Sequence, residues 1–437
     1  MGLIALVHGV SHFFHLIIVP LFPWLIADFG FSYSQLGLLM TVFFVVSGTA
    51  QSVAGFVVDR AGPVPVLLGA LGLFVLGALV LAGSNSFFMF AVGMALAGLG
   101  NASFHPIDFS IINARVRQHL LGRAYAVHGI SGSLGWAIAP VFLAGIASLS
   151  TWRMALVGAA LLAGVALLAA FIWRGVLLGE TAAGLLGVKR DAASSDAEAA
   201  GREAGTAGKG AAGAGGADQG AVQPAADRAT AATALPAAGT FDFLRLPAVW
   251  MSFGFFVVYA FSLGGVQSFA PTAAGQMFGL SRETIALCLT VYMLCSAGGM
   301  IPGGWVATSP ERAERLIAIG FGGSLIAALS MLVIDWPAAL VPVVFGIMGF
   351  SAGFANPARD LLIKRSTPPG ATGRVYGVVY SGLDVGMSFG PFAFGLLMDA
   401  HQPHTVWLLI GLTQVLLIGI AWMTGRMTAS RTRHAPA

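Results

Sequence analysis

Long apolar runs dominate this 437-residue sequence and decide where most of the chain can lie. A helix needs about 20 apolar residues to cross a bilayer, and its backbone polar groups must be paired within their own segment. Only 9% of the residues are charged, against about 25% in soluble proteins. We therefore predict an all-α membrane protein with twelve transmembrane helices, numbered here as spans one to twelve, at 4–27, 34–57, 63–83, 87–113, 122–147, 151–174, 245–274, 283–307, 315–334, 338–361, 375–398 and 404–425.

The basic residues lie mainly on one side of these predicted spans. If both termini and the middle segment are cytoplasmic, that side receives seventeen basic residues, leaving out three in the middle segment, and the other side receives only Arg153 and Arg282. Such an excess marks the cytoplasmic side. The sequence thus predicts a multi-pass protein of the bacterial inner membrane with both termini in the cytoplasm. The basic charge does not indicate nucleic acid, because it lies in short clusters between apolar runs.

The segment between spans six and seven differs in composition. Residues 191–240 contain 29 Ala and Gly in 50 positions and no aromatic residue, so they cannot bury enough surface to offset the entropy of ordering. We predict a flexible Ala/Gly-rich cytoplasmic linker, with an alanine-rich helix over part of it as the alternative. The predicted organisation is a six-helix bundle at 1–175, the linker at 176–240, a second six-helix bundle at 241–425 and a cytoplasmic tail at 426–437.

The two halves repeat each other. Residues 98–140 align with 349–391 at an offset of 251, and the start of span two repeats in span eight at an offset of 249. Two bundles of the same orientation are typical of transporters that rock around a midplane site, which disfavours a channel. The matches include residues that shape the backbone, and they pair Gly98 with Gly349, Pro106 with Pro357, Gly135 with Gly386, Pro140 with Pro391, Ser32 with Ser281 and Thr41 with Thr290.

The loop between spans two and three reads Gly55-Phe-Val-Val-Asp59-Arg60-Ala-Gly62. This sequence resembles the loop signature of the major facilitator superfamily, and the resemblance covers essentially the whole chain outside the linker. It implies the major facilitator fold of two pseudo-symmetric six-helix bundles, and it implies that Asp59 latches the cytoplasmic side. Pro63 stands where basic residues usually follow the final glycine, so the full charge network of that loop is not expected here.

Two further motifs carry a narrower resemblance. Gly135 and Pro140 frame a Gly-x-x-x-Ala-Pro sequence in span five, which resembles part of a motif associated with antiporters. In span four, Phe104-His105-Pro106 resembles fosmidomycin-resistance-type efflux proteins, as does the region from His12 to Gln35. The chain departs from that group after Pro106, where a glutamate is expected. The resemblance therefore implies export of a small organic molecule and leaves its identity open.

Ionisable residues inside the spans are costly and are functional candidates. His12 and His105 are each about eight residues from the cytoplasmic end, roughly 12 Å at 1.5 Å per residue. Histidine suits proton transfer because its ordinary pKa of about 6.5 is close to physiological pH. We predict that two stripes face one another across a central cavity and form the proton-coupling and substrate-binding group. By helical spacing, the stripe on span one is His8, His12 and His15, and the stripe on span four is Asn101, His105 and Asp108.

Other interpretations of these residues stay open. Buried histidines can bridge helices through hydrogen bonds. His8, His12, His105 and Asp108 are also suitable metal ligands, but no other metal signature supports such a site, and no metal or cofactor is predicted. Span five carries a buried His128, which is predicted as a gate or a helix bridge.

In the second half, two charged residues lie within spans. Asp384 on span eleven is a further candidate for proton coupling, with helix bridging as the alternative. Arg359 on span ten occupies the repeat position of Asp108. It is predicted either to hold an anionic substrate or to extend its side chain to the cytoplasmic interface.

These observations lead to one functional prediction. The chain is a secondary active transporter that exports a small organic compound by alternating access, coupled to protons. The alternative is a proton symporter that takes up a small organic anion. No enzyme activity is predicted, since the sequence has neither a nucleophile elbow nor a metalloprotease motif, and no phosphate-binding loop indicates ATP. The expected partners are the small-molecule substrate, protons and the lipid bilayer, without nucleic acid, and the chain is expected to be a monomer.

Overall fold

A computed structural model of the protein describes residues 1–117, 121–178, 245–307, 313–366 and 372–433, and nearly all of these residues are helical. Most of the predicted linker lies outside the described residues. The first half consists of helices Gly2–His15, Phe22–Phe29, Tyr33–Ala61, Pro63–Ala82, Phe87–Asn101, Phe104–Arg115, Leu121–Leu149, Trp152–Ile172 and Arg174–Leu178. The second half consists of helices Pro247–Ser268, Ala270–Phe278, Arg282–Val306, Ala313–Val333, Val341–Ser366, Thr372–Asp399 and Pro403–Arg433.

Most of these helices can cross a bilayer. Within the described residues, ten helical segments are long and apolar enough to cross, one of them being Phe87–Ile112, which includes the interruption in span four described below. The number is eleven if the bent pair Gly2–His15 and Val19–Phe29 counts as one span. The remaining long helix, Thr372–Asp399, has 28 residues and carries Asp384 near its middle. Together these elements match the twelve predicted spans of an all-α, multi-pass membrane protein.

Two sides of the helical bundle are distinguished by the linker. We call the side at which the chain leaves span six and enters span seven the linker side, and the other the distal side. Span one begins on the linker side at Gly2, and the chain alternates sides from there, so that Gly30, Ser84, Ser150 and Gly279 lie on the distal side. The last helix continues to Arg433, into the segment that was predicted as a tail.

Three predicted spans are broken helices. Span one stops at His15, passes through a 3₁₀ turn at Val19–Leu21 and resumes at Phe22, with a bend of 40°. Span seven is interrupted at Phe269, and its second helix reaches Phe278, beyond the predicted end. Prolines lie at these breaks because a proline ring removes a backbone donor and clashes with the preceding turn. The breaks in spans one and seven carry Pro20, Pro23 and Pro271.

Span four is also interrupted, close to the predicted site. Its first helix ends at Asn101 and its second begins at Phe104. Pro106 lacks an N–H, so the carbonyl of Ala102 has no helical donor four residues later. The break therefore lies just before this proline, between the Asn101 and His105 side chains.

The structure repeats specific contacts at the positions that the sequence repeats. Thr41 of span two donates through Oγ1 to the carbonyl of Ser388 in span eleven. Thr290 of span eight donates at 2.9 Å to the carbonyl of Ala137 in span five. The two threonines are related by the offset of 249, and Ala137 and Ser388 by the offset of 251. Both bonds join the two halves, and the predicted pseudo-symmetry of the bundles is confirmed.

Repeated glycines allow helices to approach closely within each half. Gly98 of span four lies against the carbonyl of Phe43 in span two, and Gly349 of span ten lies against the carbonyl of Tyr292 in span eight. A Cβ atom at either glycine would overlap that carbonyl oxygen. Small residues are the usual means by which membrane helices pack backbone to backbone, so these repeated glycines fix equivalent helix pairs in the two bundles.

Candidate functional site

The three histidines of span one line the face that packs against span five. A Cβ atom added at Gly132 of span five would lie 2.7 Å from the His12 ring and 2.8 Å from the His8 ring. Glycine at this position therefore makes room for two imidazoles. The ring centroids of His8 and His12 are 4.4 Å apart, and those of His12 and His15 are 4.8 Å apart. The structure thus brings together the first predicted stripe.

His15 forms a bridge among four spans. Its Nε2–H donates to Asn101 Oδ1 over 3.0 Å, and its Nδ1 accepts the indole N–H of Trp136 over 3.3 Å. Asn101 in turn donates to the hydroxyl of Ser47 over 2.9 Å. This pattern uses both ring nitrogens of a neutral imidazole. His15 and Asn101 therefore fit a positioning role, which ties spans one, two, four and five together beside the break in span one.

Asp108 is paired with a histidine from a different span. The Nε2 atom of His128, in span five, lies 2.9 Å from Asp108 Oδ2, and both side chains are buried. The His128 ring stacks on that of His8, with centroids 3.5 Å apart. His105 is three residues from Asp108 on the same helix, whereas this contact comes from span five, because spans one, four and five converge here.

Three polar atoms of this buried group have no hydrogen-bond partner among the described residues: His8 Nε2, His12 Nδ1 and Asp108 Oδ1. Ser131 donates to the His128 carbonyl at 2.7 Å, so its oxygen accepts the His8 Nδ1–H at 3.1 Å. His8 Nε2 is consequently an acceptor with nothing to accept. A buried polar group without a partner costs about 1–3 kcal/mol. Such groups are uncommon in a purely structural core and favour a functional site.

His105 and His12 complete the cluster. Both are half-buried, and the ring of His105 lies 6.1 Å from that of His8. The ring of His12 lies 4.3 Å from that of Trp136. We call the group formed by His8, His12, His105, Asp108 and His128 the histidine–aspartate cluster.

Sequence reasoning did not select Ser131 and Trp136 as parts of this site. Together with His128 they follow the helical spacing of i, i+3 and i+8 on span five. This spacing of polar and aromatic side chains in an apolar helix could have indicated that they line the same site.

The cluster can hold and transfer a proton. A carboxylate hydrogen-bonded to one imidazole and lying beside others offers several sites for a proton within a buried volume. His8, Asp108 and His128 also supply atoms of metal-binding type within 4.8 Å of one another. The hydrogen bond between Asp108 and His128 already engages one atom of each of these two residues, so we interpret the group as a hydrogen-bonded pair beside further imidazoles.

The two charged candidates of the second half lie on spans eleven and ten, whereas the histidine–aspartate cluster is formed by spans one, four and five. Asp384 packs against span two of the other half, where a Cβ atom at Gly48 would lie 2.9 Å from the Asp384 Cβ. The guanidinium of Arg359 lies 4.9 Å from the ring centroids of both Phe256 and Tyr259. Its Nη1 also donates to Asn356 Oδ1 at 3.3 Å. The Arg359 side chain is therefore held by cation–π contacts within its own half.

The predicted motif residues occupy the ends and the packing surface of the first bundle. Asp59 and Arg60 are exposed on the linker side at the end of span two, and Gly62 has a φ of 82° at the turn into span three. Among the described residues, no atom of another helix lies within 4 Å of the Cβ position of Gly55.

In span five, Gly135 lies against the carbonyl of Gly9 in span one. Pro140 lies inside the same helix, five residues further along. The span-five motif thus permits the contact on which the histidine–aspartate cluster depends.

Solved structures share the fold along nearly the whole chain. A bacterial homologue of the human lysosomal transporter Spinster, in an inward-facing and unoccupied conformation, superposes with a TM-score of 0.72 at 15% identity, and the match covers 100% of this chain and 98% of that one. A point mutant of the nucleoside transporter NupG gives a TM-score of 0.69 at 13% identity, covering 97% of this chain and 98% of that one. At this identity the likeness concerns the fold.

Curated relatives match over shorter segments. The fosmidomycin resistance protein of Escherichia coli K12 is 29% identical over 146 residues, which are 33% of this chain and 35% of that protein. A multidrug resistance protein B homologue of Mycobacterium tuberculosis H37Rv is 27% identical over 128 residues, which are 29% of this chain and 24% of that protein. The chain thus spans about a third or less of these relatives, and the predicted similarity to fosmidomycin-resistance-type proteins is confirmed at this low identity.

The family assignment rests on a longer match. The model of the Major Facilitator Superfamily matches residues 4–391 and 252–436, which include both bundles and the positions of all the motifs above. The repeated contacts of the two halves and the fold of the solved transporters agree with that match, and we conclude that this multi-pass membrane protein belongs to the Major Facilitator Superfamily of transporters.

Proposed function

We propose that the protein exports a small organic compound across a bacterial inner membrane in exchange for protons, with its linker side in the cytoplasm. The histidine–aspartate cluster takes up and releases the coupled proton. As the two bundles rock, the hydration of the cluster changes, and the affinity of Asp108 and its neighbouring imidazoles for a proton changes with it.

The observation that carries this proposal is the buried Asp108–His128 pair. Asp108 is fully buried, and its second carboxylate oxygen has no partner among the described residues. An ionisable group at membrane depth is expensive and is usually part of an ion or substrate pathway. A purely structural bridge would satisfy every polar atom, as the His15 bridge nearly does.

The substrate class is supported by the relatives. Two of them are named for resistance to fosmidomycin and to multiple drugs, and both names concern small organic compounds. The anion-symport alternative depends on Arg359. Its cation–π contacts with Phe256 and Tyr259 already engage that guanidinium, so we do not extend the proposal to it.

Transport in proteoliposomes tests the proposal directly. The purified protein is reconstituted, a pH gradient is imposed, and the flux of a panel of drugs and organic anions is measured in both directions. We expect at least one compound of the panel to move against the proton flow. A flux that is indifferent to the gradient for every transported compound would remove proton coupling from the proposal.

The proposed orientation has its own test. Reporter fusions at Ala217 in the linker and at the C-terminus should report the cytoplasm, because the basic residues gather on the linker side. A fusion after Ser84, which lies on the distal side between spans three and four, should report the periplasm. A cytoplasmic signal at Ser84 would contradict both the orientation and the span count.

Asp59 is expected to act on conformational change. Asp59→Asn should slow turnover severalfold while leaving substrate affinity nearly unchanged, since Asp59 is exposed at the end of span two and lies outside the histidine–aspartate cluster. Arg153→Gln is a control for the loss of a charge on the distal side. In the parent protein the Arg153 guanidinium donates to the Ala82 and Ser84 carbonyls there. Measuring the turnover rate and the binding constant separately decides the matter, and a loss of affinity at normal turnover would count against the latch role.

A further inference from the structure

A carboxylate from the second half caps the first helix turn of span two. Asp399, the last residue of span eleven, accepts the backbone N–H of Tyr33 at Oδ1 over 2.6 Å and that of Ser34 at Oδ2 over 2.9 Å. The first N–H groups of a helix have no acceptor within the helix, and the helix start carries partial positive charge. Asp399 therefore supplies both a hydrogen-bond acceptor and the complementary charge.

The rest of this helix start is satisfied from within the first half. Ser32 Oγ accepts the N–H of Gln35, and Gln35 Oε1 accepts the N–H of Ser32. The two donors that this capping box leaves unpaired are the ones that Asp399 accepts. The cap of span two is thus complete only when the distal ends of the two halves are together.

The internal repeat places a related contact at the equivalent positions. Asp399 corresponds to Ser148 at the offset of 251, and Ser34 corresponds to Glu283 at the offset of 249. The Ser148 hydroxyl donates to Glu283 Oε1 over 3.2 Å, so spans five and eight are joined at their distal ends as spans eleven and two are. The acid lies at the end of span eleven in one contact and at the start of span eight in the other. Both contacts are nevertheless hydrogen bonds between the two halves.

We propose that Asp399 is a conformational latch, which holds the distal side closed by capping span two and must release the cap for that side to open. The contact crosses from one half to the other, so it stabilises only the state in which these ends meet, and an interaction made in one state alone shifts the population toward it. The Gln276 amide donates to the Tyr33 hydroxyl at 2.9 Å and adds a further bond to the same seam. This inference rests on the rocking of the two bundles and is independent of the coupled ion and of the substrate.

Distance measurements between the two halves test the latch. Spin labels are placed at Phe88 and Ala338, which are exposed on the distal side of the first and second halves, after both native cysteines are replaced by alanine. Double electron–electron resonance then gives the fraction of molecules with separated distal ends. Asp399→Ala should raise the ratio of separated to closed molecules by about fivefold or more, as expected from the loss of a charged helix cap.

A matched control exists on the same side of the protein. Asp28 accepts the indole N–H of Trp152 at 2.7 Å, and both residues belong to the first half. Asp28→Ala removes a distal carboxylate and its hydrogen bond without touching the seam between the halves, so its distance distribution should match that of the parent protein.

Asp399→Asn provides a second measurement should the alanine variant fold poorly. The amide keeps one oxygen for one of the two N–H groups and loses the charge, so its shift should be smaller than that of Asp399→Ala and in the same direction. A distance distribution that is unchanged in the folded Asp399 variants, or that changes equally in Asp28→Ala, overturns the latch. The distance measurement needs neither substrate nor a proton gradient. Its outcome is therefore independent of whether the proposed proton-coupled export is correct.

Discussion

Asp108→Asn should reduce pH-gradient-driven transport to the level of protein-free liposomes while leaving the protein folded and inserted. The amide has nearly the shape of the carboxyl group, and it can still hydrogen-bond to His128 across the 2.9 Å contact. It cannot take up or release a proton in the physiological range. The measurement is substrate flux in proteoliposomes under an imposed pH gradient.

Counterflow separates proton coupling from binding. This exchange of labelled for unlabelled substrate requires rocking and binding but no net proton movement, so it should survive in Asp108→Asn. His105→Ala should also abolish gradient-driven flux, and it should lose more of the counterflow. That order is expected if Asp108 carries the proton and the half-buried His105 also contacts the substrate.

Asp335→Asn is the matched control for this experiment. Asp335 is exposed in the loop between spans nine and ten, so its neutralisation should leave both forms of transport unchanged. Wild-type gradient-driven flux in both Asp108→Asn and His105→Ala would make the histidine–aspartate cluster structural. The coupling site would then lie elsewhere, with Asp384, which packs against Gly48 between the halves, as the next candidate.

The number of spans and the two-half organisation were predictable because they depend on the average composition of long segments. Twenty apolar residues must cross a bilayer as a helix whatever their order, and the repeat needed only an alignment of the chain with itself. The breaks in spans one and seven were not predicted. An apolar run with prolines looks the same in sequence whether the helix bends, stops or continues, and neighbouring helices decide among these outcomes.

The partner of Asp108 illustrates a second limit. Periodicity correctly grouped His8, His12 and His15 on one face of span one, because that relation is internal to a helix. Which residue lies opposite Asp108 depends on how spans four and five are rotated and how closely they approach span one. Gly132, which leaves room for two imidazoles, helps set that approach. A lone glycine in an apolar run gives no indication of what fills the space beside it.

The Asp399 cap shows how the repeat adds information that single motifs lack. The capping box of Ser32 and Gln35 can be recognised from spacing alone. The remaining two donors are satisfied by a residue more than 360 positions away in sequence, which no local pattern predicts. The structure identifies that partner, and the repeat shows that an equivalent contact is present between Ser148 and Glu283.

Gly135→Ala should separate spans one and five and disable the histidine–aspartate cluster. The glycine lies against the Gly9 carbonyl, and an added Cβ atom would overlap that oxygen. Overpacking of this kind costs about 1–3 kcal/mol, so the melting temperature in detergent should fall. Moving span one away from span five also separates His8 from two neighbours. His8 Nδ1 lies 3.1 Å from the Ser131 hydroxyl oxygen, and the ring centroids of His8 and His128 are 3.5 Å apart. The transport rate of Gly135→Ala should therefore fall by a larger fraction than its melting temperature alone would suggest.

Gly145→Ala on the same helix is the matched control. Among the described residues, no atom of another helix lies within 4 Å of the Cβ position of Gly145, and alanine is favoured over glycine in a helix by about 1 kcal/mol. This variant should be as stable as the parent protein or slightly more so, with unchanged flux. The comparison is made by thermal unfolding and by proteoliposome transport on the same preparations. Equal behaviour of the two alanine variants would mean that spans one and five do not need their close contact, and that the geometry of the cluster is not set by Gly135.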